Sequence, residues 1–261
     1  MSRLEGVAVS VQLGGRTLLH ELSFQVGAGE LVGLIGPNGA GKSTLIKAIA
    51  QVLPYRGSIR LEGEPLERIP ARERARLVAY LGQDDRIQWP IAVADLVALG
   101  RHPYRGSWWR GAGRTSDADR QAIESALRAT DVWSLRARAS DTLSGGERAR
   151  VRLARALAVE APLLLADEPV AALDPRHQLE VMELLRAQAH QGASVIVVLH
   201  DLTLASRFCD RLLLLHEGRT VAAGAVETVL SADHLRLVYG IGAVIGEHQG
   251  QRYIVPWSCT L

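Results

Sequence analysis

Apolar residues recur along this chain in two rhythms, short unbroken or alternating runs and longer runs with one apolar stripe, and their succession predicts strands interleaved with helices. Residues 31–35 form an apolar run typical of a strand buried on both faces, and 44–50 read as a helix directly after it. Segments 7–11 and 22–26, on either side of Gly14 and Gly15, together with 58–61, carry the β-type pattern of an antiparallel sheet flanking that strand. Gly27, Ala28, Gly29 and Glu30 make the turn that feeds it. Residues 72–79 lead into a short strand at 80–83, after which 84–113 lose sheet alternation: 92–99 look helical and 102–113 look like a loop. From Ser116 the pattern is helical, with Asp117, Asp119 and Glu124 biasing the first turns negative and Ile123, Ala126 and Leu127 on one face. A further helix opens at Ser144, with Val151, Ala154, Leu157 and Ala158 as its apolar face. Buried-type strands follow at 163–166 and 194–199, separated by a helix over about 176–188 that turns Leu179, Met182 and Leu184 or Leu185 inward. The last core strands fall at 211–215 and 220–223, then short helices at 227–230 and 232–239 and a hairpin around Gln249 and Gly250.

That order predicts an α/β fold with a mainly parallel sheet, kept as one domain of 261 residues. Its parts are a core with an N-terminal antiparallel β-subdomain (1–83 and 159–224), a mainly helical insert (84–158), and C-terminal helices with a hairpin (225–261). A net charge of +2 with 22% charged residues excludes an acidic-tail protein and a strong polyanion binder. Arginines cluster at 68–76, 101–114 and 148–155; such patches can face nucleic acid, lipid head groups or another protein, and a solvated helix face is the commoner explanation for each. Cys209 and Cys259 lack metal-ligand spacing and predict neither a disulfide framework nor a zinc site, in keeping with a reducing cytoplasm. Residues 1–5 lack the apolar core of a signal peptide, and no apolar run reaches bilayer-spanning length, so work at a membrane calls for another chain to span it.

Chemistry enters at Gly36, Pro37, Asn38, Gly39, Ala40, Gly41, Lys42, Ser43 and Thr44, which fit G-x-x-x-x-G-K-[ST] residue for residue. Glycines let successive N–H groups face inward, Lys42 can reach the β/γ-phosphates, and Ser43 can ligate Mg²⁺. Between a strand and a helix, the loop also brings phosphate to a helix N-terminus. The strand at 163–166 ends in Asp167 and Glu168; in a phosphate-loop enzyme such an acid holds hydrated Mg²⁺, which suits Asp167, and Glu168 then stands to orient or deprotonate the attacking water. His200 ends another buried strand at the same sheet edge and is expected to contact the γ-phosphate. Ser144 and Glu147 have capping-box spacing, which alone could explain both. Gly145 and Gly146 are a poor first helical turn unless an anion must approach the N–H groups.

The joint order of the loop at 36–44, Gln83, Leu143 to Glu147, the strand ending in Asp167 and Glu168, Ala171 to Asp174, and His200 resembles the nucleotide-binding subunit of ATP-binding cassette transporters over nearly the whole chain. The resemblance implies a phosphate-loop NTPase core, ATP and Mg²⁺ as ligands, and a head-to-tail homodimer in which ATP lies between one copy's loop and Ser144, Gly145 and Gly146 of the other. It also implies that Gln83 links Mg²⁺ or water to the permease contact, that Asp174 lies in the loop crossing the dimer seam, and that His200 is the switch histidine. Leu13 stands where many cassettes carry an aromatic residue, so adenine is expected to pack on Leu13 or Arg16; Val170 and Ala149 are further departures. The stretch from Gln83 to Tyr104 and the tail around Val238, Tyr239 and Gly240 look like the branch importing ferric siderophores, haem or cobalamin. That branch implies two integral-membrane permease subunits, which residues 87–100 would help to face, an extracytoplasmic binding protein, no nucleic acid, and a place on the cytoplasmic face of the inner membrane. The alternatives are a soluble cassette ATPase acting on DNA or ribosomes, which generally carries tandem cassettes or a long coiled-coil insertion, and the ATPase subunit of an exporter.

Overall fold

The computed structural model describes residues 2–83, 90–105, 116–171 and 173–259. Its strands are β1 (Ser2–Leu13), β2 (Arg16–Gly27), β3 (Leu31–Ile35), β4 (Arg56–Leu61), β5 (Glu64–Pro65), β6 (Val78–Leu81), β7 (Leu163–Ala166), β8 (Ser194–Val198), β9 (Arg211–His216), β10 (Arg219–Ala225), β11 (Ile241–His248) and β12 (Gln251–Cys259). The helices are α1 (Lys42–Ile49), α2 (Ala71–Leu77), α3 (Val93–Ala98), α4 (Asp117–Ala129), α5 (Gly145–Leu157), α6 (Pro175–His190), α7 (Leu202–Phe208), α8 (Val226–Val229) and α9 (Ala232–His234). All five residues of β3 are buried, and a strand covered on both faces pairs in parallel. It does so with β8 on one side and β9 on the other, within a six-stranded sheet ordered β10-β9-β3-β8-β7-β6 in which β10 pairs with β9 antiparallel at one edge. The α/β class with a mainly parallel sheet is therefore as the sequence predicts. The loop expected at 102–113 lies outside the described residues from 106 onward, as do 87–89 of the expected permease-facing stretch.

The chain divides into two compact units, Met1–Ile69 with Leu165–Glu168 and Leu185–Leu261, and Pro70–Leu164 with Pro169–Leu184. In the first, β2, β1, β4 and β5 form the antiparallel sheet expected beside the phosphate strand. The C-terminal hairpin, β11 with β12, seats on α7 through main-chain atoms: the Thr203 hydroxyl donates to the Ile254 carbonyl (2.7 Å) and accepts its N–H (3.1 Å), while the Ser206 hydroxyl lies 2.8 Å from the Arg252 carbonyl. Ile254 is buried, whereas Val244, Val255 and Trp257 are exposed.

The second unit has its own apolar core, with Val93, Leu96 and Val97 of α3, Ala126 and Leu127 of α4, and Val151 and Ala154 of α5 among its members. It takes in more chain than the 84–158 insert, because Arg72 and Arg76 of α2 both donate to the Pro103 carbonyl, at 3.0 and 2.9 Å. Arg101 corrects the expectation of a solvated arginine face. It is 4% exposed and bonds Asp119 of α4 at 2.8 Å, the Ala158 carbonyl at the end of α5 at 2.9 Å, and Glu160 at 2.8 Å. A buried guanidinium needs such partners, and the last carbonyls of a helix need donors. Burial pushes the Asp119 carboxyl up, but hydrogen bonds from Arg101 and Ser116 outweigh it and hold the group below the usual range. Next to Arg101, the Tyr104 hydroxyl donates to the Val159 carbonyl (2.8 Å), and Gly100 packs so close to α5 that a Cβ would stand 2.3 Å from the Arg155 carbonyl. The turn at Leu99–Tyr104 is thereby fastened to the C-terminal end of α5.

Candidate functional site

The loop after β3 needs its glycines for room as well as conformation. Gly36 has φ +145°, and a Cβ there would lie 2.2 Å from the Leu215 carbonyl; Gly41, at φ +99°, caps α1 in the left-handed region. The turn closes with the Ala40 amide donating to the Pro37 carbonyl at 3.2 Å. Lys42 starts α1 and is buried, its ammonium donating to the carbonyls of Gly36 (2.7 Å) and Pro37 (3.0 Å). Burial pulls its pKa down, against the pull of Glu168 and Asp167 in the other direction. The N–H groups of the first turn of α1, which a helix leaves without partners of its own, and this lysine stand where the spacing places a phosphate cradle. Sequence reasoning missed one support: Tyr239, whose phenol is pushed up by burial and held back by a backbone hydrogen bond from Gly36.

Beside the loop, the Ser43 hydroxyl donates to Asp167 Oδ1 at 3.0 Å, across 124 positions of chain. Asp167 is 1% exposed, and its Oδ2 is buried without a hydrogen-bond partner among the described residues. An orphaned carboxylate oxygen next to a hydroxyl is the donor set a hard divalent cation takes, so these residues fit Mg²⁺. Burial raises the Asp167 pKa and Glu168 adds to it, against the Ser43 hydrogen bond and the two lysines 42 and 47. A carboxyl whose folded pKa exceeds its unfolded one contributes stability at low pH that is lost as pH rises through the folded value. Asp167→Asn is therefore expected to raise the melting temperature of the metal-free protein at neutral pH by a few degrees. The gain should vanish as pH falls toward the unfolded aspartate pKa of about 3.9. The same variant should lose any Mg²⁺-dependent rise in melting temperature with ATP, and calorimetry over a pH series checks both.

Glu168 follows in a left-handed backbone conformation, φ +53°, which costs a non-glycine residue roughly 1–3 kcal/mol. Its Oε1 lies 2.7 Å from His200 Nε2, and Glu168 is the more enclosed of the two, 14% against 44% exposed. His200 stands just beyond β8, where Asp201 caps α7 by accepting the Leu204 amide at 2.8 Å. The strained backbone aims a carboxylate, and the imidazole restrains it; a carboxylate so held can orient or deprotonate a water. The loop at 36–44, Asp167, Glu168 and His200 all belong to the first unit. The histidine expected to meet the γ-phosphate is thus a partner of Glu168 here.

The remaining candidates, Gln83, Ser144, Gly145, Gly146 and Asp174, belong to the second unit. Ser144 caps α5 and forms the complete capping box, accepting the Glu147 amide (3.2 Å) while Glu147 accepts the Ser144 amide (2.8 Å). The glycines between them answer to no local need. A Cβ on Gly145 meets nothing within 4 Å, one on Gly146 meets only a Leu173 methyl at 3.6 Å, and neither has the positive φ that favours glycine. Asp174 accepts the His177 amide (3.1 Å) and lies 2.7 Å from its Nδ1, contacts that hold its carboxyl below the usual range. Gln83 is exposed just beyond β6, and Arg152 of α5 donates to its carbonyl at 3.1 Å. Leu13, expected with Arg16 as the alternative to pack against adenine, is 54% exposed at the end of β1.

A family model described as ABC transporter matches residues 19–171. The hemin import ATP-binding protein HmuV of Pseudomonas putida is 43% identical over 241 residues, covering 90% of this chain and 91% of that protein. The Streptomyces coelicolor protein of the same name is 44% identical over 249 residues, covering 94% and 87%. Among solved structures, an ATP-binding subunit of an ABC transporter matches with a TM-score of 0.76 at 29% identity, over 87% of this chain and 92% of that one. A metal-chelate type ABC transporter in an inward-facing conformation matches with a TM-score of 0.83 over 99% and 98%; at 23% identity it speaks to the fold.

Proposed function

The chain belongs to the ABC transporter family, and on that footing we propose that it is the ATP-hydrolysing subunit of an importer for a metal chelate, with haem as the cargo. The observation that carries the reading is the 43% identity, spread over 90% of the chain, to a hemin import ATP-binding protein. The convergence of Lys42, Ser43, Asp167, Glu168 and His200 supports the chemistry. The N–H groups of the loop and the start of α1 bind the β- and γ-phosphates, and Lys42 turns its ammonium from the loop carbonyls to them. Glu168, restrained by His200, takes the proton of the attacking water. Ser43 and Asp167 would hold Mg²⁺, which when bound neutralises phosphate charge, and the resemblance gives Gln83 a role toward Mg²⁺ or water.

The copy-to-copy arrangement draws support from Gly145 and Gly146. Glycine costs up to about 1 kcal/mol relative to alanine in a helix, and nothing among the described residues asks for it here. A bare surface kept over the N–H groups of α5 suits the triphosphate carried by a second copy. The assembly is then a homodimer beneath two permease subunits on the cytoplasmic face of the membrane, served outside by a binding protein. No helix among the described residues is long and apolar enough to cross a membrane, so spanning falls to those permeases.

In cells given hemin as the iron source, loss of this chain should stop growth. Wild type should restore it and Lys42→Ala should not. Growth unaffected by the loss refutes the haem reading, and a defect confined to cobalamin or a ferric siderophore reassigns the cargo.

A further inference from the structure

α5 is held to the chain that follows β6 at two separate points. At its far end, Arg101 and Tyr104 bond the carbonyls of Ala158 and Val159, and Gly100 leaves no space between the turn and the helix. Midway along, Arg152 sends its Nη2 to the carbonyls of Gly82 and Gln83, the latter at 3.1 Å. These residues lie in one unit. Arg152 is accordingly no part of a solvated arginine face. Its guanidinium crosses 69 positions of chain to grip two consecutive peptide carbonyls.

An Nη2 with two N–H donors, bonded to both carbonyls, restrains where each of them points. The second carbonyl belongs to Gln83, whose side-chain amide the resemblance assigns to Mg²⁺ or water. We infer that Arg152 is a positioning residue that fixes where the Gln83 side chain starts from and ties it to the helix opened by Ser144, Gly145 and Gly146. The inference rests on the nucleotide role proposed above. With the far end of α5 clamped by Arg101, a shift of that helix reaches Gln83 through Arg152, and a shift of Gln83 returns by the same bond.

The test uses the full chain and four variants: Arg152→Ala, Arg152→Lys, Gln83→Ala and the Arg152→Ala/Gln83→Ala double. Arg152→Ala is expected to cut kcat about tenfold with KM for ATP within about twofold, since the phosphate cradle is untouched. Lysine, still able to reach a carbonyl, should recover part of the loss. Once Gln83 is gone, removing Arg152 should cost nothing further, because the two act in one step. Additive losses, or a rise in KM with kcat unchanged, overturn the assignment. Hydrogen exchange decides independently of catalysis: amides of residues 80–83 should exchange about tenfold faster in Arg152→Ala while those of α1 do not change. Equal protection of 80–83 in wild type and Arg152→Ala rejects the bond. A wild-type chain that hydrolyses no ATP defeats the functional reading instead, and the exchange result still stands. If the alanine variant fails to fold, lysine carries both measurements, and wild-type exchange at 80–83 with lost turnover in Arg152→Lys also rejects it.

Discussion

Glu168→Gln is expected to bind ATP within about twofold of wild type while hydrolysis falls by about 100-fold or more, the range a general base contributes. Glutamine keeps the volume and hydrogen-bonding reach of glutamate, so contact with His200 at the 2.7 Å seen here survives. What it cannot do is accept a proton from water. The phosphates remain held by Lys42 and the loop, so the ATP-bound form should accumulate, and with Mg²⁺-ATP the variant should elute as a dimer in gel filtration. Turnover near the wild-type rate would refute the assigned role. The strained φ of +53° sharpens the expectation, because a left-handed non-glycine residue at a strand end is costly to keep unless its side chain must point one way.

Mixing two inactive subunits should restore activity that neither has alone. Lys42→Ala removes the ammonium that reaches the phosphates, and Ser144→Arg fills the bare N-terminus of α5 with a bulky side chain. Each variant by itself is expected to lose turnover by at least about 100-fold, as removal of charge stabilisation at a reacting phosphate does. In a mixed dimer one of the two sites has both an intact Lys42 and an intact Ser144, so ATPase activity should reappear on mixing. Losing the Ser144 cap costs about 1 kcal/mol, which the melting temperature will register and which must be separated from the block. Paired but inert mixtures would refute a site shared between copies.

How much of this was legible in the sequence depends on how far apart in the chain the partners lie. Gly36 to Thr44 could be read because a phosphate loop is a local object, set by spacing within nine residues between a strand and a helix. Ser144 and Glu147 were legible for the same reason, being three apart on one helical turn. The Ser43–Asp167 bond could be anticipated because strands of one parallel sheet end at one edge. Arg101 and Asp119 could not. An arginine in a basic cluster and an acid in a helix's first turn both look solvated, and only the packing of α3, α4 and α5 buries them together. Arg152 was hidden likewise, since its partners are peptide carbonyls, which every sequence contains. Tyr239 reaches Gly36 from the far end of the chain, and nothing local marks it.

The attachment of the C-terminal hairpin to α7 has a consequence for how such chains can diverge. Thr203 and Ser206 recognise main-chain atoms of Ile254 and Arg252, so the grip is indifferent to most side chains it holds. Outward positions such as Val244, Val255 and Trp257 are free to drift, and the hairpin can be redecorated as an interchangeable badge without loosening the helix that follows His200.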